Sequence, residues 1–300
     1  MVTPAIPGWL QPLYPFAPHA FSTPRGARMS FLDEGPRHDE AVLMLHGNPT
    51  WSFFYRELVQ AVAPALRCIV PDHIGMGLSD KPQDYPYTLA TRIDDVASLV
   101  ASLGLKKVHL VVHDWGGAIG FGFAARHPAM IGRLVILNTA AFPSPRIPAR
   151  IALCQTRFPG TFLVRGLNGF AGPAVWMSMH RRCLTAGEKR GFLLPYDSWA
   201  NRVAVDAFVK DIPMAASHPT WATLDRVATG LKNFTANPAL LVWGGRDFCF
   251  NEQFYTEWRT RLPQAQAHYL ADAGHYVLAD AAHEVVPQIT RFLRQVQSSG

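Results

Sequence analysis

The chain has 300 residues; 49% are hydrophobic and only 17% charged, against an average nearer about 25% charged for soluble domains. That balance excludes a disordered chain, which needs low hydrophobicity and high net charge. The net charge of +6 comes from 28 basic and 22 acidic residues. They are interspersed, and runs such as His180-Arg181-Arg182 and Lys189-Arg190 are too short to track a phosphate backbone. Nucleic acid is therefore not an expected partner, and the charge reads as a mildly basic surface.

In chain order, residues 1–21 come first, with five prolines and no basic start. They make a poor signal peptide and a poor transmembrane helix. Short apolar runs then predict strands at Met29–Leu32, Ala41–Leu45, Cys68–Val70, Val108–Val112 and Leu134–Leu137. Helical patterns lie between several of them, at Trp51–Val62, Ala90–Leu103 and Ala118–Arg126. From Phe142 to Ala228 the strand rhythm stops, and eight prolines alternate with bulky apolar residues. It resumes at Ala239–Trp243, followed by a helix at Gln253–Arg261, a strand at His268–Leu270 and a last helix at Glu284–Gln297. Continuous apolar strands alternating with helices predict an α/β fold, with a mostly parallel sheet covered on both faces. The expected division is a core of residues 1–141 and 229–300, with a helical cap at 142–228 inserted into it.

The sharpest local signal is His113-Asp114-Trp115-Gly116-Gly117, between a strand and a helix. A sharp strand-to-helix turn of this kind presents its central side chain above the sheet, as in the G-x-S-x-G elbow. Here that side chain is Asp114, with Val112 in place of the first glycine. A carboxylate is already ionised at neutral pH and suits attack on an electrophilic carbon, leaving an ester on the enzyme. Asp247 follows a late strand and His275 the last one, giving the chain order nucleophile, acid, histidine of an α/β-hydrolase. Asp247 is expected to orient His275, which would activate water or pass a proton. Asn48, in His46-Gly47-Asn48-Pro49, and Trp115 are expected to stabilise the oxyanion or leaving group through backbone and side-chain N–H groups.

Other features read as scaffold. The loop Asp72-His73-Ile74-Gly75-Met76-Gly77-Leu78-Ser79 lacks the phosphate-cradling pattern and is expected to be a turn. His46, His73 and His113 show no helical ligand spacing, so no metal is expected. Cys68, Cys154, Cys183 and Cys249 form no C-x-x-C pair; reduced thiols in a cytoplasmic protein are expected. Phe158, Phe162, Phe170, Trp176, Met177, Phe192, Trp199, Phe208 and Trp221 are expected to line an apolar substrate pocket.

Together these motifs resemble the haloalkane dehalogenase group of the α/β-hydrolase superfamily over about residues 28–296. The elbow at Asp114, the pair Asn48 and Trp115, Asp247 and His275 carry the likeness. Asn138 occupies the position from which one branch of the group takes its acid, so the likeness is to the third subfamily, with Asp247 as acid. Within it, residues 69–82, Asn138-Thr139-Ala140-Ala141-Phe142-Pro143 and Lys210-Asp211-Ile212-Pro213 are most similar to the β-lactone decarboxylases of bacterial long-chain olefin biosynthesis. That resemblance implies conversion of a cis-dialkyl β-lactone to a cis-alkene and carbon dioxide. It also implies a cytoplasmic assembly with other enzymes of olefin biosynthesis; no cofactor is expected. Haloalkane hydrolysis is the alternative. An epoxide hydrolase would need two cap tyrosines, whereas residues 140–230 contain only Tyr196. A non-catalytic binding protein is the remaining alternative.

Overall fold

The computed structural model describes residues 6–295. Eight strands make one sheet: β1 (His19–Ser22), β2 (Arg28–Glu34), β3 (Glu40–Leu45), β4 (Arg67–Pro71), β5 (Lys107–Asp114), β6 (Ile131–Thr139), β7 (Ala239–Gly244) and β8 (Gln266–Leu270). Their spatial order is β1-β2-β4-β3-β5-β6-β7-β8. Only the β1–β2 and β2–β4 pairs are antiparallel; the rest are parallel.

The helices are α1 (Arg56–Val62), α2 (Leu89–Ser102), α3 (Trp115–Arg126), α4 (Ala149–Gln155), α5 (Ala171–Met177), α6 (Ala186–Leu193), α7 (Val203–Lys210), α8 (Trp221–Gly230), α9 (Glu252–Arg261), α10 (Val277–Asp280) and α11 (Ala282–Arg294). Strand side chains alternate between two apolar layers. Along β3, Ala41, Leu43 and Leu45 join α2 and α3 on one face. Val42 and Met44 join α1 and α11 on the other. Both faces of the central strands are thus dry, which is why their sequences are unbroken apolar runs.

Several boundaries differ from those expected. The helix predicted at Trp51–Val62 is a 3₁₀ turn, Ser52–Tyr55, followed by α1. Helix α3 begins at Trp115, without a gap after β5. The last helix, predicted to Gln297, runs to Arg294; residues 296 and 297, like residues 1–5 of the N-terminal segment, lie outside the described residues. Between β6 and β7 the chain is helical, from α4 to α8. The expected border at residue 228 falls inside α8, whose Val227 and Gly230 face Gly122 and Ala125 of α3.

Candidate active site

The C-terminal ends of β3, β5, β6 and β7 point the same way, and ligands of open α/β sheets bind beyond such ends. Asp114 is the last residue of β5 and directly precedes α3. Its backbone sits at φ 51°, ψ −128°, a conformation that L-residues adopt only under constraint. Neighbouring glycines make the elbow possible. A side chain at Gly47 would collide with the Asp114 carboxylate, and one at Gly116 with the Leu45 carbonyl.

Asp114 Oδ1 accepts the backbone N–H of Asn48 at 2.7 Å, and the Trp115 N–H also bonds the carboxylate. Asp114 Oδ2 lies 3.8 Å from His275 Nε2. On its other side, His275 Nδ1 is 2.7 Å from Asp247 Oδ2. The Cys249 N–H donates to Asp247 Oδ1 at 2.6 Å, and Asn138 Nδ2 donates to Oδ2 at 2.9 Å. Asn138 also pairs with the Gly244 backbone in both directions. It therefore holds the turn that carries Asp247 as well as the carboxylate itself.

Burial, only partly offset by His275 and the two backbone N–H groups, raises the Asp114 carboxyl above its ordinary range. Burial alone would lower His275. The charge and hydrogen bond of Asp247, with Asp114 beyond, outweigh it and hold the imidazole above 6.5. His113, packed 4.5 Å from the His275 ring, is pushed well down by burial; neutral, it bonds the His275 carbonyl at 2.9 Å.

The backbone N–H of Asn48 is thus occupied by Asp114 itself, and that of Trp115 bonds the same carboxylate. The side chains remain. Asn48 Nδ2 gives one hydrogen to the Val205 carbonyl at 3.1 Å and has a second to offer. The Trp115 indole N–H has no hydrogen-bond partner among the described residues, and both residues line the cavity above Asp114.

That cavity has a volume of about 1260 Å³, open mouth included. Its walls come from α4, α5, the loop 142–150 and Phe248-Cys249-Phe250. Of the nine expected lining residues, Phe170 and Met177 line it. The other seven do not. Phe158, Phe162, Trp176 and Trp199 point outward and are exposed. Phe192 is buried between Phe53 and Tyr276. Phe208 stands one layer back, 5.4 Å from the Trp115 ring, and Trp221 is half-buried at the start of α8, away from the wall. Sequence reasoning missed Phe248, Cys249 and Phe250, although they directly follow Asp247 and had to lie near it.

The rings of His46 and His73 lie 4.4 Å apart, tilted at 49°, behind the site, and burial pushes His46 down to about 4. Among the described residues no group of three or more His, Cys, Asp or Glu side chains is arranged to hold a metal ion. The loop after β4 is a turn, in which Asp72 accepts the N–H groups of Ser52 and Leu78.

A carboxylate in a sharp elbow, a histidine fixed by a second carboxylate and a parallel sheet define an α/β-hydrolase arrangement. The family model for the α/β hydrolase fold matches residues 40–282, and the chain belongs to that family. Over 295 residues it is 44% identical to a cis-3-alkyl-4-alkyloxetan-2-one decarboxylase of Xanthomonas campestris, covering 95% of this chain and 98% of that one. The protein of the same name from Shewanella oneidensis is also 44% identical, over 96% of this chain and 92% of its own. Among solved structures, a haloalkane dehalogenase from Bradyrhizobium elkani superposes with a TM-score of 0.83 at 25% identity, covering 93% of this chain and 97% of that one. An oxetan-2-one is a β-lactone, so the two 44% relatives bear the activity expected from the sequence.

Proposed function

We propose that the chain is a β-lactone decarboxylase, converting cis-3,4-dialkyl oxetan-2-ones to cis-alkenes and carbon dioxide through an ester on Asp114. The observation that carries this reading is the Asp114 carboxylate at the base of an apolar cavity. One oxygen is fixed by a backbone N–H and the other faces His275. The cavity's lining of mainly apolar side chains, among them Phe142, Ile147, Phe170, Leu224 and Phe250, suits alkyl chains. Residues 142–228 serve as the cap domain over it.

Asp114 Oδ2 attacks the β-carbon of the lactone, forming an ester bond as the ring C–O bond breaks. The ring oxygen leaves as part of a carboxylate, met by the side-chain N–H groups of Asn48 and Trp115. The bond from the α-carbon to that carboxylate then breaks, and its electron pair forms the double bond. The pair of the ester C–O bond returns to Asp114, and no water is consumed. Inversion followed by anti elimination leaves the chains cis. Attack at the carbonyl is disfavoured because the backbone donors suited to a carbonyl oxyanion already hold Asp114. As an imidazolium oriented by Asp247, His275 stabilises Asp114 as it departs.

Halide displacement would use the same atoms, with neutral His275 then activating water; it is the reading carried by the structural neighbour. The resemblance and the four unpaired cysteines support a cytoplasmic site, and the resemblance supports assembly with other enzymes of olefin biosynthesis. Product analysis with a synthetic cis-dialkyl β-lactone beside a panel of haloalkanes tests the function. Alkene from the wild type and none from Asp114→Ala is expected. Bromide release without alkene would overturn the reading.

A further inference from the structure

The charge of +6 is not spread evenly over the chain. Residues 142–228 hold eleven Lys and Arg against five Asp and Glu, so the remainder is balanced. Between 142 and 187 there are six arginines and no acidic residue. Exposed large apolar side chains concentrate there too. Of the seven among the described residues, only Tyr269 lies outside 142–228; Phe158 is 82% exposed, and Leu167 and Trp176 are each 63% exposed.

The segment carrying these residues walls the mouth of the cavity. Arg146, Arg150 and Pro173 are the lining residues that are also exposed, so the opening lies between the start of α4 and the start of α5. Leu153 of α4 and Phe158, Phe162 and Leu167 in the chain joining those helices face outward. Trp199 packs beside Phe162 across Gly166. Arg146, Arg150, Arg157 and Arg165 pair with no carboxylate among the described residues. Arg150 lies over Phe248 at 3.9 Å and Arg165 over Trp199 at 4.8 Å.

We propose that this face docks on an anionic lipid bilayer, seating the cavity mouth against the membrane so that apolar substrate and product move between bilayer and site. Exposed aromatic and aliphatic side chains with arginines that no carboxylate neutralises match the apolar boundary and negative headgroups of such a surface. A second copy of the chain is a poor occupant, since it would bring arginines against arginines. No helix is long and apolar enough to cross a membrane among the described residues, so the association is peripheral. The purpose of the docking rests on the lactone reading, whereas the binding itself does not.

The test is flotation of the full chain, without substrate, on vesicles of phosphatidylcholine alone or of equal parts phosphatidylcholine and phosphatidylglycerol. Binding is expected to the mixed vesicles, at least about tenfold tighter than to phosphatidylcholine and weakened by salt. The double variant Arg157→Glu/Phe158→Ser, which touches no catalytic group, should lose about tenfold or more while keeping wild-type melting and turnover of a short, dissolved lactone. Arg259→Glu, the same charge change on α9, should bind like the wild type. Failure to bind anionic vesicles, or equal loss in Arg259→Glu, would overturn the docking. So would self-association in solution that Arg157→Glu/Phe158→Ser abolishes, which would assign the face to a second copy. Vesicle binding by a chain that makes no alkene would instead remove the lactone reading and leave the docking standing.

Discussion

Asp114 combines three costs at one position: a positive φ, burial and a negative charge. Its folded pKa lies above its unfolded one, so the ionised carboxylate destabilises the fold at neutral pH. That cost is absent below the unfolded pKa and complete above the folded one. Asp114→Asn should therefore melt at a higher temperature than the wild type at pH 7, with the gap closing as pH falls. Turnover should drop by roughly a thousandfold or more; calorimetry and product analysis on the same samples check both. His275 gives a second residue-scale prediction. Decarboxylation should weaken in acid as Asp114 takes a proton and in base as His275 loses one. Hydrolysis, needing neutral His275, should instead weaken as pH falls through the raised pKa of His275. In His275→Gln given the lactone, an intermediate with the mass of the intact lactone on Asp114 is expected; an alkyl ester accumulating only when a haloalkane is supplied, with halide released, would point to halide displacement. These residues were legible in the sequence because each sits at a strand end, where chain order alone fixes its neighbourhood. Asn138 was legible only as a missing acid. Its work on Asp247 depends on strand pairing that no local motif announces.

At the scale of elements, the buried strands were legible and the edge was not. The sequence His19–Ser22 forms β1, but its side chains are mostly exposed and carry no apolar run. The cap helices were the least legible, being mostly seven or eight residues long. So short a helix shows too few turns to reveal which side faces in. Aromatic content therefore pointed to the right segment but, in seven of nine cases, to side chains off the cavity wall, four of them facing outward. Helix α6 shows what anchors such an element. Thr185 and Glu188 form a reciprocal capping box, and Glu188 also binds Arg182 and the buried Arg56 that opens α1, each at 2.7 Å. Burial opposes ionisation, but Arg182, the Thr185 N–H and Arg56 outweigh it and hold the carboxyl at about 2. The stability this supplies is present above the unfolded value near 4.5 and lost as pH falls through about 2. Glu188→Gln should cost about 1–2 kcal/mol at pH 7, through its lost charge-assisted bonds to Arg182 and Arg56, while Glu57, 2.9 Å from Arg56, still supplies the buried guanidinium with a counter-charge. In urea melts the difference from wild type should shrink below pH 4.

For the molecule as a whole, the coupling between cap and core runs through a motif that the sequence carried only as a likeness. Lys210-Asp211-Ile212-Pro213 closes α7, and Asp211 reaches the start of α2. It accepts the Leu89 N–H at 2.7 Å and the Thr220 hydroxyl, and lies 3.5 Å from Arg92 Nη1. Arg92 is buried, with its guanidinium 3.5 Å from the centre of the Phe208 ring. Phe208 in turn packs on Trp115. A single buried ion pair thus joins an inserted helix, a core helix and the indole expected to meet the leaving carboxylate. Burial pulls Arg92 down to about 10, with Asp211 opposing, so the guanidinium stays charged at neutral pH and needs its partner. Asp211→Asn should cost roughly 3–5 kcal/mol, whereas Arg92→Leu/Asp211→Leu should recover much of that loss. If the pair also positions Trp115 through Phe208, the stable double variant should keep its substrate KM within a few-fold and lose kcat. Equal loss in both, with unchanged fluorescence from Trp115, would confine the pair to holding the cap in place.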